Sequence, residues 1–152
     1  MKSTLVLRFT MGMKVRSQAH VTYKLSYHIV WIPKYRRKLL LQGVDTYFTK
    51  TLKTYLADQY PDVILEEINV QLDHVHLMIV IPPKYSISKV VGDMKSNTSR
   101  ELRKKFEYIR RNKVLWSIGY FVSSVGLDEA RIRRYISHQE AQDKGRAQLV
   151  LL

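Results

Sequence analysis

The spacing of two histidines, His74 and His76, is the feature of this sequence that most directly indicates a chemical site. They lead into the apolar run from Met78 to Ile81, which predicts a strand, and residues at i and i+2 of a strand project from the same face of a sheet. Two neutral imidazoles on one face can share a divalent cation, which offsets the cost of burying both rings. The alternative is that the rings pack against backbone carbonyls or stand half exposed at a sheet edge.

A phenol and an amide, Tyr135 and Gln139, lie four residues apart near the C-terminus and so share one face of a predicted helix. A phenol can attack a phosphodiester that a metal has polarised, which leaves a covalent phosphotyrosine. An amide oxygen is a neutral, hard ligand suited to Mg²⁺ or Mn²⁺. A tyrosine beside an apolar stripe is also a common core residue, and a glutamine one turn later is commonly solvated. The spacing leaves both interpretations open.

Two further residues compete for roles around the histidine pair. His28 is a rival metal ligand because its strand should neighbour the pair, but a lone strand histidine is more often structural, so we prefer Gln139. Asp73 could orient a histidine ring, but an aspartate in a hairpin turn commonly serves the turn itself, and we leave it outside the predicted site.

The composition favours a polyanionic partner and excludes several enzyme classes. The 152 residues carry 26 Lys and Arg against 13 Asp and Glu, a formal charge of +13, which attracts nucleic acid at long range. The absence of cysteine removes disulfides, thiolate metal sites and thiol nucleophiles. No apolar run approaches the ~20 residues of a membrane span, and no cleavable signal is recognised, so we expect a cytoplasmic protein.

Periodicity and turn residues predict four strands and three helices within one domain. They are a strand over 21–31, a helix over 45–60, strands over 63–70 and 74–81, a helix over 86–106, a strand over 120–125 and a helix over 128–144. This order predicts an α+β fold with a ferredoxin-like (RRM-like) four-stranded antiparallel sheet, two helices on one face, and a C-terminal helix that carries Tyr135. We expect a flexible N-terminal arm over 1–20, one domain over 21–145 and a tail over 146–152.

Several segments of this sequence resemble the single-tyrosine HUH transposases of small insertion sequences. The segments occur in the same order as in that family and extend over nearly the whole chain. They are Tyr27–Arg36, Asp73–Leu77, Leu115–Trp116, Gly119–Val122 with Ser124–Gly126, and Arg134–Ile136 with Gln139. The resemblance covers residues 21 to about 140 and is more specific than either the histidine pair or the tyrosine and glutamine alone.

The resemblance implies an enzyme that cleaves and rejoins single-stranded DNA at hairpin-bearing element ends. It implies a metal, Mg²⁺ or Mn²⁺, held by His74 and His76 with Gln139, and Tyr135 as the nucleophile of a 5′-phosphotyrosine intermediate without a nucleotide cofactor. It also implies a homodimer in which the tyrosine helix of one subunit can complete the histidine site of the other, with Gly126 as a hinge.

Basic residues offer candidate DNA contacts after the first strand and along the long helix. They are Lys34, Arg36, Arg37, Lys38, Lys95 and Arg100. Each could equally belong to a solvated basic surface. The competing hypothesis for the whole chain is a non-catalytic or domesticated single-stranded nucleic-acid-binding protein, because the same sheet plan serves common RNA-binding domains. A denaturation-resistant DNA adduct would distinguish the two.

Overall fold

The computed structural model describes residues 7–8, 14–18, 21–23, 25–124 and 129–151, with side chains described over 25–124 and 130–145. The strands are β1 (Leu7–Arg8), β2 (Lys14–Gln18), β3 (Val21–Tyr23), β4 (Ser26–Trp31), β5 (Ile64–Gln71), β6 (His74–Val80) and β7 (Phe121–Ser123). The helices are α1 (Val44–Gln59), α2 (Ile87–Lys105), α3 (Glu107–Arg110) and α4 (Glu129–Leu151), and a 3-10 turn spans Lys34–Arg36.

The main sheet has the strand order β5-β6-β4-β7, and every neighbouring pair is antiparallel. This is the order expected of a ferredoxin-like sheet, so the predicted α+β fold is confirmed. Register places Asn69, His76, Val30 and Phe121 side by side across the four strands, on one face of the sheet. A separate small sheet contains β1, β2 and β3.

The other face of the sheet forms the hydrophobic core with α1 and α2. Alternation along β4 and β6 puts every second residue on this face, and the helices supply apolar residues at three- and four-residue spacing. The buried members include Ile29, Trp31, Val75, Leu77, Ile79, Phe48, Leu52, Leu56, Val90, Met94 and Leu102. Trp116 packs edge-on against Trp31 and Phe48, which anchors the loop before β7.

The element bounds differ from the prediction at the points where pairing partners change. The strand predicted over 21–31 is two strands, since β3 pairs with β2 whereas β4 pairs with β6 and β7. The fourth strand of the main sheet is only Phe121–Ser123. Ser86 caps α2, with its Oγ accepting from the Lys89 backbone N–H at 3.1 Å.

The predicted terminal segments contain regular structure. The arm expected over 1–20 includes β1 and β2, and α4 continues to Leu151, beyond the predicted end near Lys144. The mobility predicted for the arm stays a prediction, and the hinge predicted at Gly126 lies outside the described residues. Within the described ranges, no helix combines the length and the apolar character that crossing a membrane requires.

Candidate active site

The histidine pair lies in a cleft of about 550 Å³ between the sheet and α4. The residues that line it are Arg36, Asn69, Gln71, Asp73, His74, His76, Ile132, Arg133 and Ile136. Strand alternation places both imidazoles on the face of the sheet that is turned away from α1 and α2, as the spacing predicts. The cleft therefore combines two imidazoles, two guanidinium groups, two amides and one carboxylate.

His74 is held by the turn that precedes it. Its Nδ1 lies 2.9 Å from Oδ1 of Asp73, and the Nε of Arg36 donates to the other oxygen, Oδ2, at 2.8 Å. Burial would raise the pKa of Asp73, but the hydrogen bonds from His74 and Arg36 lower it below its ordinary value. Because an ionised carboxylate only accepts, the His74 Nδ1 donates, and a neutral His74 keeps the lone pair on Nε2. Asp73, which we left outside the predicted site, is therefore part of it.

His76 contacts a third imidazole. Its Nε2 lies 3.0 Å from Nδ1 of His28, and the ring centroids are 5.3 Å apart. Burial, followed by the nearby rings of His28 and His74, lowers the pKa of His76 below its ordinary value of 6.5. The ring is therefore neutral at neutral pH, which is the state that a metal ligand requires. The predicted proximity of His28 to the pair is observed.

The polar face of α4 is organised around a buried carboxylate, that of Asp143, which is 1% exposed. Its oxygens accept from the Ser117 hydroxyl at 2.8 Å, the Tyr35 backbone N–H at 3.0 Å and the Gln139 amide at 3.4 Å. Gln139 is itself buried, and its Oε1 lies close to Gly119, a glycine with φ +94°. In this conformation Gln139 contacts the loop before β7 and is not among the residues lining the histidine cleft.

Tyr135 faces the edge of the sheet at β7. Its ring lies 5.8 Å, centroid to centroid, from that of Phe121, and both line a second cleft with Arg131, Arg134 and His138. The hydroxyl is buried and has no hydrogen-bond partner among the described residues. Burial, and then the negative charge of Asp143, raise the pKa of Tyr135 above its ordinary value, so the phenol stays protonated here.

Of the six predicted DNA-contact residues, Arg36 is paired with Asp73 and Glu140 instead of being free on the surface, and the other five differ in their surroundings. Lys34 and Arg37 stack on the ring of Tyr35 at 5.5 and 5.3 Å, and Lys38 is exposed, so this group forms an accessible basic surface. The exposed Arg100 pairs with Glu101 at 3.4 Å.

Lys95 differs from the exposed phosphate contact that we predicted. Its ammonium donates to the carbonyls of Ser117 and Gly119 at 2.8 and 2.7 Å, and burial lowers its pKa to about 8. These contacts fix the loop on which Gln139 packs. Nothing in the spacing of the helix distinguishes Lys95 from its solvated neighbours.

One chain brings the two histidines together, but it brings neither Tyr135 nor Gln139 into their cleft. Ile132 and Ile136 occupy the part of α4 that meets the histidines, and Tyr135 is about 100° further round the helix than Ile136. Among the described residues, no three His, Asp or Glu side chains converge as a metal site. Asp143 was not predicted as a site residue, although it continues the four-residue spacing of Tyr135 and Gln139.

Comparison with known proteins gives a consistent result. Residues 21–139 match the family model described as "Transposase IS200 like". The chain is 35% identical over 137 residues to the transposase for insertion sequence element IS200 of Salmonella typhimurium, covering 88% of this chain and 89% of that protein. It is 28% identical over 125 residues to the ISDra2 transposase TnpA of Deinococcus radiodurans, covering 80% and 88%.

A solved structure extends the likeness to the fold. The crystal structure of a provisionally assigned transposase from Deinococcus radiodurans R1 superposes with a TM-score of 0.70 at 28% identity, covering 81% of this chain and 96% of the other. The family match spans β3 to α4 and so includes the histidine cleft, Tyr135 and Gln139. The chain belongs to the IS200-like transposase family, whose members are enzymes that cleave and transfer DNA in the transposition of insertion sequences.

Proposed function

We propose that this transposase cleaves and rejoins single-stranded DNA at hairpin-bearing ends, with Tyr135 as the nucleophile and a divalent metal at His74 and His76. The observation that carries the proposal is the histidine cleft, where two imidazoles lie side by side against the helix that carries the tyrosine. The formal charge of +13 and the basic surface around Tyr35 supply the attraction for a DNA strand.

The residues present fit a divalent cation. Asp73 holds His74 with Nε2 directed away from its own hydrogen bond. His76 is neutral and would bind the ion once its Nε2 leaves the contact with His28. In our proposal His74 and His76 bind the ion with Gln139, whose amide oxygen reaches them when α4 changes position. When bound, Mg²⁺ or Mn²⁺ polarises the scissile phosphate and stabilises the charge that develops on its oxygens.

The cleavage step needs no external energy source. The Tyr135 oxygen attacks the phosphorus, the bond from phosphorus to the 3′ oxygen breaks, the phenol loses its proton and the departing 3′ oxygen gains one. The products are a 5′-phosphate linked to Tyr135 and a free 3′-hydroxyl. Attack by another 3′-hydroxyl reverses the step and releases the phenol, so the phosphodiester bond is conserved.

Delivery of Tyr135 requires a rearrangement or a second subunit. In one chain the phenol faces Phe121, whereas the histidines face Ile132 and Ile136. We propose a homodimer in which α4 of one subunit presents Tyr135 to the histidines of the other. In this arrangement α4 also moves from its described position, which uncovers the buried hydroxyl and separates the ring from Phe121.

The covalent step is tested with hairpin oligonucleotides taken from the DNA that flanks the gene, incubated with Mg²⁺ or Mn²⁺ and separated under denaturing conditions. We expect a denaturation-resistant adduct in the wild type and none in Tyr135→Phe. The matched control is Tyr108→Phe, which removes a half-buried hydroxyl that donates to the Leu39 carbonyl outside the cleft, and it should retain the adduct.

The same assay distinguishes the enzyme from a binding protein. Tight binding of every hairpin tested without an adduct from any of them would contradict the proposal and favour the non-catalytic or domesticated alternative.

The shared site is tested by mixing two inactive proteins, Tyr135→Phe and the double variant His74→Ala, His76→Ala. Random exchange in a homodimer makes about half of the dimers mixed, so roughly a quarter of the sites regain activity if tyrosine and histidines come from different subunits. A mixture that stays inactive after verified subunit exchange would show that each site uses residues of one chain.

A further inference from the structure

The turn before His74 is connected to the tyrosine helix by Arg36. Its Nε donates to Asp73 Oδ2 at 2.8 Å, and its terminal nitrogen donates to Glu140 Oε2 on α4 at 3.4 Å. Asp73 uses its remaining oxygen, Oδ1, for His74. The Asp73 and His74 side chains are 17% and 18% exposed, so their contact is not a loose surface pair, whereas Arg36 and Glu140 are more exposed, at 36% and 27%. These four residues form a continuous chain of hydrogen bonds from α4 to an imidazole of the cleft.

The backbone around Arg36 is bent to make this connection. Tyr35 and Arg36 have φ values of 60° and 53°, a left-handed conformation that is unfavourable for residues other than glycine. Such a conformation persists where surrounding contacts hold it, and here the Tyr35 backbone N–H donates to Asp143 Oδ2 at 3.0 Å. Two carboxylates of α4, Asp143 and Glu140, therefore fix the segment that directs Arg36 at Asp73.

The chemistry of the connection determines which nitrogen of His74 is available. A carboxylate that accepts from Arg36 on one oxygen and from His74 on the other holds the imidazole with its proton on Nδ1. The lone pair of Nε2 is then directed away from Asp73. Outer partners of this kind orient metal-binding histidines and increase their basicity.

We propose that Asp73 and Arg36 are positioning residues, which hold His74 ready for the metal and make its orientation depend on the docking of α4 through Glu140. This inference rests on the proposed function, because it assigns a role to residues around the metal that His74 and His76 would bind. Its consequence is that α4, while it is seated on the segment that contains Arg36, keeps His74 in its metal-binding orientation.

The test measures Mn²⁺ binding to the full-length protein without DNA, by calorimetry, in Asp73→Asn and Arg36→Gln. Asparagine keeps the size of the side chain but offers one acceptor oxygen in place of two, so Asp73→Asn should weaken Mn²⁺ binding by about 10- to 100-fold. The control is Asp58→Asn, which removes the same charge from an exposed side chain of α1 and should leave the affinity within about twofold.

Arg36→Gln distinguishes a positioning role of Arg36 from the direct effect of its charge on cation affinity. Removing a positive charge beside the cleft should by itself strengthen cation binding. Our proposal instead expects weaker binding, by about threefold or more, because Asp73 loses the donor that holds it. Glu140→Gln should weaken binding in the same direction and by a smaller factor.

The proton position on His74 is read directly from ¹⁵N NMR of the histidine-labelled protein. The wild type should show the proton on Nδ1 of His74, and Asp73→Asn should change that signal while the thermal unfolding curve shows an intact fold. Unchanged Mn²⁺ affinity and an unchanged His74 signal in Asp73→Asn would overturn the positioning role alone. A wild type that forms the DNA adduct without binding Mn²⁺ or Mg²⁺ would instead refute the metal part of the proposed function.

Discussion

Replacing Tyr135 by phenylalanine should stabilise the resting protein while abolishing its chemistry. The Tyr135 hydroxyl is buried and has no hydrogen-bond partner among the described residues, whereas its ring packs on Phe121. A buried polar group without a partner costs about 1–3 kcal/mol, so removing only the oxygen should raise the free energy of unfolding by about 1 kcal/mol. For a chain of this length, that corresponds to a rise in Tm of about 2–4 °C.

The assay is thermal or urea unfolding of the wild type, Tyr135→Phe and Tyr108→Phe under identical conditions. Tyr108→Phe should lower the free energy of unfolding by about 1 kcal/mol, because the Tyr108 hydroxyl donates to the Leu39 carbonyl at 2.8 Å. A fall in Tm for Tyr135→Phe as large as that for Tyr108→Phe would show that the Tyr135 hydroxyl has a partner in the resting protein. The Tyr135 hydroxyl would then have to break that hydrogen bond before it could react with a substrate.

Three other perturbations have expected outcomes that separate measurements can check. Burial lowers the pKa of Lys95 from 10.5 to about 8, so between those pH values the folded chain releases a proton that the unfolded chain keeps. The stability of the wild type relative to Lys95→Met should therefore rise from pH 8 to pH 10 in urea titrations, and a flat difference would contradict the assigned burial. Chelation by EDTA should abolish the DNA adduct but leave hairpin binding in gel shifts, since the basic surface contributes most of the affinity; a retained adduct would remove the metal from the mechanism. Lys38→Ala should weaken binding of all single strands alike and reduce the slope of log affinity against log salt by about 0.7–1, whereas an unchanged slope would exclude a phosphate contact.

The fold could be predicted because its signals are local. Alternation in β4 and β6, the cap at Ser86 and the turn around Asp73 each depend on a few neighbouring residues, and together they define the order of strands and helices. The split between β3 and β4 could not be predicted, because it depends on which strand each segment pairs with.

The candidate site was only partly predictable, because some of its contacts are local in the sequence and others join distant segments. The two histidines share a strand, so spacing alone places them together. The roles of Asp73, Arg36 and Lys95 depend on contacts with residues 22 to 104 positions away along the chain, apart from the bond between Asp73 and its neighbour His74. The same residue types in the same positions would look identical on a solvated surface. The orientation of Tyr135 toward Phe121 depends on how α4 docks, which the helical pattern does not determine.

The identity of the nucleophile is tested most directly by mass spectrometry of the trapped DNA adduct after digestion with nuclease and trypsin. Cleavage after Arg134 and Lys144 releases a peptide over residues 135–144 that contains one of the chain's 10 tyrosines. Our account predicts that this peptide alone gains the mass of a nucleotide 5′-phosphate and that its fragments place the addition on Tyr135. A nucleotide attached to any other peptide would contradict the account.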